Sequence, residues 1–265
     1  MTTLQIIVLA IVQGLTEFLP ISSSGHLVLV PYLVAWTDQG LAFDVAVHFG
    51  SLIAVVVFFR EDILGLLRGS AQVAGGDVKS PQAYMAVAIA LGTVPAAIAG
   101  LLFASWIEAN LRDPSIIVYT LAGYGIVMAL ADRYARRDKG IAEVRIKDAL
   151  IIGVAQALAL VPGTSRSGIT ITAGRLLGFE RQDAARFSFL LSAPVILLAT
   201  LYKGGELVMG DEPVAWSELA LGVLVSAVVA YLSIEFFMRF VTRIGLAPFA
   251  IYRLLLAALI LYLLV

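Results

Sequence analysis

Eight apolar stretches, at 4–36, 41–59, 83–107, 115–132, 148–178, 187–202, 214–238 and 244–265, occupy most of the chain. About 20 such residues let an α-helix cross the hydrocarbon core of a bilayer. No water is available there, so each backbone N–H and C=O must pair within the structure, which leaves helices or closed barrels. The residue-by-residue alternation of barrel strands is absent, and an all-α polytopic membrane helix bundle is expected. Composition agrees: 60% of the 265 residues are hydrophobic and 14% charged, against about 25% charged in soluble domains. No polar run is long enough for a separate soluble domain, so residues 1–265 read as one integral membrane domain. The start carries no cation ahead of its apolar run and does not read as a removable signal peptide. The chain has no cysteine, which excludes disulfides and thiolate ligands. A net charge of −1 offers no footprint for nucleic acid, and no GxxxxGK[ST] loop is present to hold a nucleotide.

Cytoplasmic loops are enriched in Lys and Arg. Residues 133–147 carry Arg133, Arg136, Arg137, Lys139, Arg145 and Lys147 and are expected inside. Counting spans outward also puts inside the 60–80 loop, the 175–186 segment and the 239–243 turn. The 37–40, 107–114 and 203–218 loops fall outside, and they hold only Arg112 and Lys203. This requires segments 4–36 and 148–178 each to begin and end on one side. Both are interrupted by Pro, Gly and Ser, and each half has about 15 residues, short for a crossing. They read as two re-entrant helix-loop-helix dips, the first from outside and the second from the cytoplasm, beside about six full spans.

The two broken segments align without a gap at an offset of 143. QGLTEFLPISSSG at 13–25 lies over QALALVPGTSRSG at 156–168, matching Gln13 to Gln156, Leu15 to Leu158, Ser22 to Ser165, Ser24 to Ser167 and Gly25 to Gly168. GTVPAAI at 92–98 and GLAPFAI at 245–251 form a second echo. The reading is an inverted-topology repeat, about 1–132 and about 148–265, joined by a linker at 133–147. Such repeats build sites at their interface near the midplane from discontinuous helices.

If both dips meet there, two helix N-termini, starting near Ser24–His26 and Ser167–Ile169, converge with Arg166. The hydroxyls of Ser22, Ser23, Ser24, Thr164, Ser165, Ser167 and Thr170 and the Gly163 turn would join them. Backbone N–H groups and a guanidinium make an anion site, with phosphate the natural occupant. Glu17, His26 and Arg166 are costly inside a membrane unless used. Each also has a structural reading: an ion pair for Glu17 and Arg166, a satisfied core residue for His26, back-bonding to the helix for the serines. His48 and Arg253 are secondary candidates; Arg253 could clamp a phosphate or neutralise Glu17.

QGLTEFLPISSSGH and PGTSRSG together resemble the motifs of the undecaprenyl-diphosphate phosphatase family, the bacitracin-resistance type, and the similarity covers the whole chain. The resemblance puts the family's acidic pair on Gln13 and Glu17, its histidine on His26, its arginine on Arg166 and its serine on Ser23. Ser165 and Thr170 fall on phosphate-binding positions. It implies hydrolysis of a polyprenyl diphosphate lipid at the outer face of the bacterial inner membrane. A divalent cation (Mg or Ca) with Glu17 as a ligand is implied as well. Gln13 stands where the family often has Glu, leaving one carboxylate fewer for a metal. A homodimer is carried as a further expectation.

The residues suit that chemistry. Ser23 would attack the terminal phosphorus with His26 as base and Glu17 orienting it, while Arg166 and the N–H groups hold the phosphates. A histidine nucleophile is the competing scheme, and the sequence does not choose. Transport of a lipid phosphate or another anion is the alternative from a different class, since inverted repeats are common in transporters. A further lipid-phosphatase class shares SGH and SR pairs, but its lysine–RP motif is missing here.

Overall fold

The computed structural model describes residues 1–111, 113–209 and 215–264. These form eleven α-helices, and the only β-type pairing among them is an isolated bridge between Lys139 and Phe179. Five helices are long and apolar enough to cross a membrane: α3 (Gly40–Phe58), α5 (Pro81–Asn110), α6 (Pro114–Tyr134), α9 (Arg181–Met209) and α10 (Trp216–Ile244). The last helix, α11 (Ala247–Leu264), was expected as a sixth span and is shorter than these at 18 residues.

The broken segments become helix pairs: α1 (Thr3–Thr16) with α2 (Ser23–Leu33), and α7 (Ile146–Leu158) with α8 (Arg166–Leu176). At 1.5 Å per residue they measure about 21, 17, 20 and 17 Å, well under the ~30 Å of a hydrocarbon core. Close backbone approach holds them in place. A Cβ on Gly14 of α1 would lie 2.8 Å from the Ser226 carbonyl of α10, and one on Gly153 of α7 would lie 2.2 Å from the Gly92 carbonyl of α5. The helices can touch only because these positions lack a side chain. Gly153→Ala is therefore expected to lower stability by about 1–3 kcal/mol, read as a lower midpoint of thermal unfolding in detergent.

The segment expected as a 60–80 loop is largely helical. After a break at Phe59, α4 (Arg60–Ala74) turns Ile63 and Leu66 to the core, and its Gly69 packs on the Gln82 backbone. Its charged residues interrupt any long apolar run, so hydropathy alone does not reveal this helix. The 203–218 loop also begins later than expected, since α9 continues to Met209; residues 210–214 and Arg112 lie outside the described residues. The second echo does not fall on matching elements: Pro95 lies inside α5, whereas Pro248 lies in the first turn of α11.

The segments expected inside gather at one end. Asp132 accepts from Arg181 Nε at 2.7 Å, Arg181 Nη2 at 2.8 Å, Arg175 Nε at 3.3 Å and the Leu246 N–H at 3.0 Å. Arg181 also reaches the Thr242 carbonyl, and Arg175 donates to the carbonyls of Arg136 and Phe179. Arg186 pairs with Asp62 at the start of α4. The start of α7 joins this end through Lys139 and Asp148 at 3.8 Å. The start of α1 lies at the opposite end of α10, where the Met1 ammonium meets Glu218 at 3.2 Å.

Candidate active site

The two loops at the helix breaks share a backbone conformation. Ser22 (φ 75°) and Ser165 (φ 69°), 143 residues apart, both take the left-handed region, which L-residues rarely occupy. Each caps the helix that follows, its hydroxyl accepting from the N–H of Gly25 at 3.4 Å or Gly168 at 3.2 Å. The helices accordingly start at Ser23 and Arg166, one to three residues earlier than the sequence suggested. Gly163 (φ 84°) closes the second turn, and a Cβ there would sit 2.2 Å from the Thr120 hydroxyl oxygen.

Side chains then lock one loop to the other. The Ser167 hydroxyl lies within bonding distance of the Glu17 and Leu19 carbonyls, at 3.3 and 3.1 Å. Arg253, 1% exposed, donates to the carbonyls of Pro20 in the first loop, Gly163 in the second, and Thr120 and Leu121 of α6. It was weighed from sequence as a phosphate clamp or a counter-charge for Glu17. Here its nitrogens are taken by backbone carbonyls, two in the loops at the helix breaks and two within α6.

Glu17 is the centre of the site and 6% exposed. One carboxylate oxygen accepts from Arg166 Nη2 at 2.7 Å. The other accepts from the Ser23 hydroxyl at 2.6 Å and the Gln13 amide at 2.9 Å, with His48 Nε2 at 3.6 Å. A carboxylate and a guanidinium thus pair across the two halves of the chain in low dielectric. His48, a secondary candidate from sequence, is brought to the centre.

His26 faces elsewhere. Its Nδ1–H donates to the Ser22 carbonyl at 2.7 Å, and Nε2 meets the Tyr252 hydroxyl at 2.6 Å. The Ser23 proton therefore points at Glu17, where sequence reasoning had put His26. Tyr252 carried no signal beyond lying next to Arg253.

A cavity of about 330 Å³ opens beside Glu17. Ser22, Ser23, Ser24, His48, Gln156, Ser165 and Arg166 line it, and it extends past Val195 and Ala199 to Leu41, Asp44 and Lys203. The N-termini of α2 and α8 flank it, adding partial positive charge. Gln13, Gly163, Thr164, Ser167 and Thr170, expected around a phosphate, are not among its lining residues. Gln13 orients Glu17, and the Thr170 hydroxyl donates to the Arg166 carbonyl and meets Ser188 at 2.6 Å.

The donor set does not suit a divalent cation held by protein alone. No group of three His, Asp or Glu side chains comes together among the described residues, and both Glu17 oxygens are occupied, one by a guanidinium. The arrangement instead suits anion chemistry: a hydroxyl against a carboxylate, beside an arginine whose Nη1 is buried without a partner.

Comparison with known proteins points the same way. The profile of the family described as bacitracin resistance protein BacA matches residues 6–259. The chain is 54% identical over 258 residues to the undecaprenyl-diphosphatase of Hahella chejuensis, covering 97% of each chain. It is 52% identical to undecaprenyl-diphosphatase 2 of Stutzerimonas stutzeri, covering 99% of this chain and 98% of that one. It is 49% identical to the undecaprenyl-diphosphatase of Nitrosococcus oceani, covering 99% of each.

Proposed function

The chain belongs to the bacitracin resistance protein BacA family, and from that premise we propose how its buried site acts. It is a multi-pass membrane phosphatase that converts undecaprenyl diphosphate to undecaprenyl phosphate and inorganic phosphate. The transport alternative gains no support from the relatives' names.

The observation that carries the mechanism is the Ser23 hydroxyl 2.6 Å from Glu17 inside an arginine-lined cavity. Ser23 Oγ attacks the distal phosphorus as Glu17 takes its proton. The bridging P–O bond breaks, and its electron pair leaves with undecaprenyl phosphate. Arg166 and the N–H groups opening α2 and α8 hold the equatorial oxygens as charge develops on them. Glu17 then loses its proton toward His48 and takes one from a water that attacks the phosphoserine. The P–Oγ bond breaks with its electron pair on Ser23 Oγ, and Glu17 returns the proton there as inorganic phosphate leaves. His26 acts on position, tying the strained Ser22 turn to Tyr252. Single-turnover trapping with label in the distal phosphate tests the scheme. Acid-stable label on Ser23 supports it; acid-labile label on His26 overturns it.

The helix breaks act as two re-entrant dips of an inverted repeat, with the cavity open to the outer face of the inner membrane. Three features support this. The half-helices are too short to span, the starts of α1 and α7 lie at opposite ends of the bundle, and the Arg-rich segments gather at one end. Along α9, Lys203 of the cavity lies 22 residues beyond Arg181 of that cluster, about 33 Å, or one hydrocarbon thickness.

The lipid tail leaves through an apolar cleft of about 280 Å³ between α3, α9 and α10. This cleft shares Val45 and Thr200 with the polar cavity. A Cβ on Gly204 in its wall meets nothing within 4 Å among the described residues, so Gly204→Phe would occupy the cleft without a clash against their backbone. Its kcat/KM should fall about tenfold for undecaprenyl diphosphate and stay near wild type for a short-chain prenyl diphosphate. Equal losses on both substrates would place the tail elsewhere.

A further inference from the structure

Gln156 holds nothing through its amide among the described residues. It lies in the last turn of α7, is 2% exposed and lines the same cavity as Arg166. Neither its amide nitrogen nor its amide oxygen has a hydrogen-bond partner among the described residues. Its counterpart across the repeat, Gln13, is engaged: its Nε2 donates to Glu17 and lies 3.5 Å from Ser51. A buried amide without partners is destabilising, and an apolar residue of like shape would pack there at less cost. Packing alone therefore does not account for a glutamine here. Arg166, on the same cavity, has its Nη1 buried without a partner among the described residues and so the same unmet need for an acceptor.

We propose that Gln156 is a substrate-binding residue whose Nε2–H₂ group donates to a non-bridging oxygen of the diphosphate, sharing that anion with Arg166. This rests on the reading that the cavity holds a diphosphate. The residue adds binding without adding charge, in a site whose net charge is already set by Glu17 and Arg166. The neighbouring α8 N-terminus and Ser165 lie on the same wall, so the amide extends one donor surface across the second repeat.

The test uses purified full-length protein in detergent, with Gln156→Leu and Gln156→Met beside wild type. Thermal midpoints are measured with and without inorganic diphosphate, and KM and kcat with undecaprenyl diphosphate. Both variants are expected to be at least as stable as wild type without ligand, because an unpaired amide has been removed. Their stabilisation by diphosphate should shrink and KM rise about tenfold, the worth of one hydrogen bond to a charged group. Gln156→Glu, which sets a carboxylate against the phosphates, should lose more. Unchanged KM and unchanged stabilisation by diphosphate would overturn the proposal. So would a lower ligand-free midpoint in both apolar variants, which would show that the amide holds the fold. If wild type releases no phosphate yet its stabilisation by diphosphate depends on Gln156, the phosphatase reading fails and this binding role stands.

Discussion

Arg166→Ala is expected to lose both activity and stability, and the two losses separate. The guanidinium pairs with Glu17 at 2.7 Å across the interface of the two loops. Deleting one member of a buried ion pair leaves the other charge unpaired, at a cost of about 3–5 kcal/mol. The same change removes the principal cationic donor from the cavity, which lowers kcat by a factor on the order of 10³. Unfolding midpoints and phosphate release, measured on the same preparations, read the two effects. Adding Glu17→Gln to Arg166→Ala should recover much of the stability, since no charge is then left unpaired, and none of the activity. Arg166→Lys should fold better than Arg166→Ala and remain poorly active. A lysine supplies a point charge but cannot hold Glu17 and a phosphate oxygen with a planar fork. An active, fully stable Arg166→Ala protein would remove Arg166 from the site.

Ser23→Ala should lose the reaction while leaving the fold intact. The Ser23 hydroxyl touches Glu17, while Gln13 and Arg166 still satisfy that carboxylate in its absence. The unfolding midpoint should therefore move little. Without the nucleophile only slow direct attack by water remains, so kcat should fall by a factor on the order of 10⁴ or more, by analogy with the loss of a serine nucleophile elsewhere. KM for undecaprenyl diphosphate should stay near wild type, because the donors that bind the phosphates are still present. If His26 were the nucleophile, Ser23→Ala would keep substantial turnover and accumulate an acid-labile phosphohistidine.

Much of this site could be read in the sequence because membranes make polar groups costly. Glu17, Ser23 and Arg166 stand out against apolar surroundings, and the alignment at an offset of 143 raises the expectation that two such breaks face one another. The shared cap geometry of Ser22 and Ser165 is the structural counterpart of that alignment. Direction was not legible. His26 begins one turn after Ser22, yet helix geometry turns its ring toward Tyr252, while His48, far away in sequence, approaches Glu17. For Arg253 the sequence leaves a phosphate clamp and a structural charge both open, because nothing in it shows that carbonyls of both loops and of α6 converge on the guanidinium. The helix α4 is hidden for a related reason: its charges are typical of a surface helix, and apolar length does not mark such a helix. Gln156 appeared in the alignment as the mate of Gln13, but its lack of partners exists only in three dimensions.

The decisive measurement is the initial rate of inorganic phosphate release from undecaprenyl diphosphate in detergent, wild type beside Ser23→Ala, with equal unfolding midpoints as the control for folding. Turnover by wild type and none above buffer by Ser23→Ala is the expected result. Release by Ser23→Ala at the wild-type rate would contradict the assignment of the nucleophile, and no release by folded wild type would contradict the phosphatase itself.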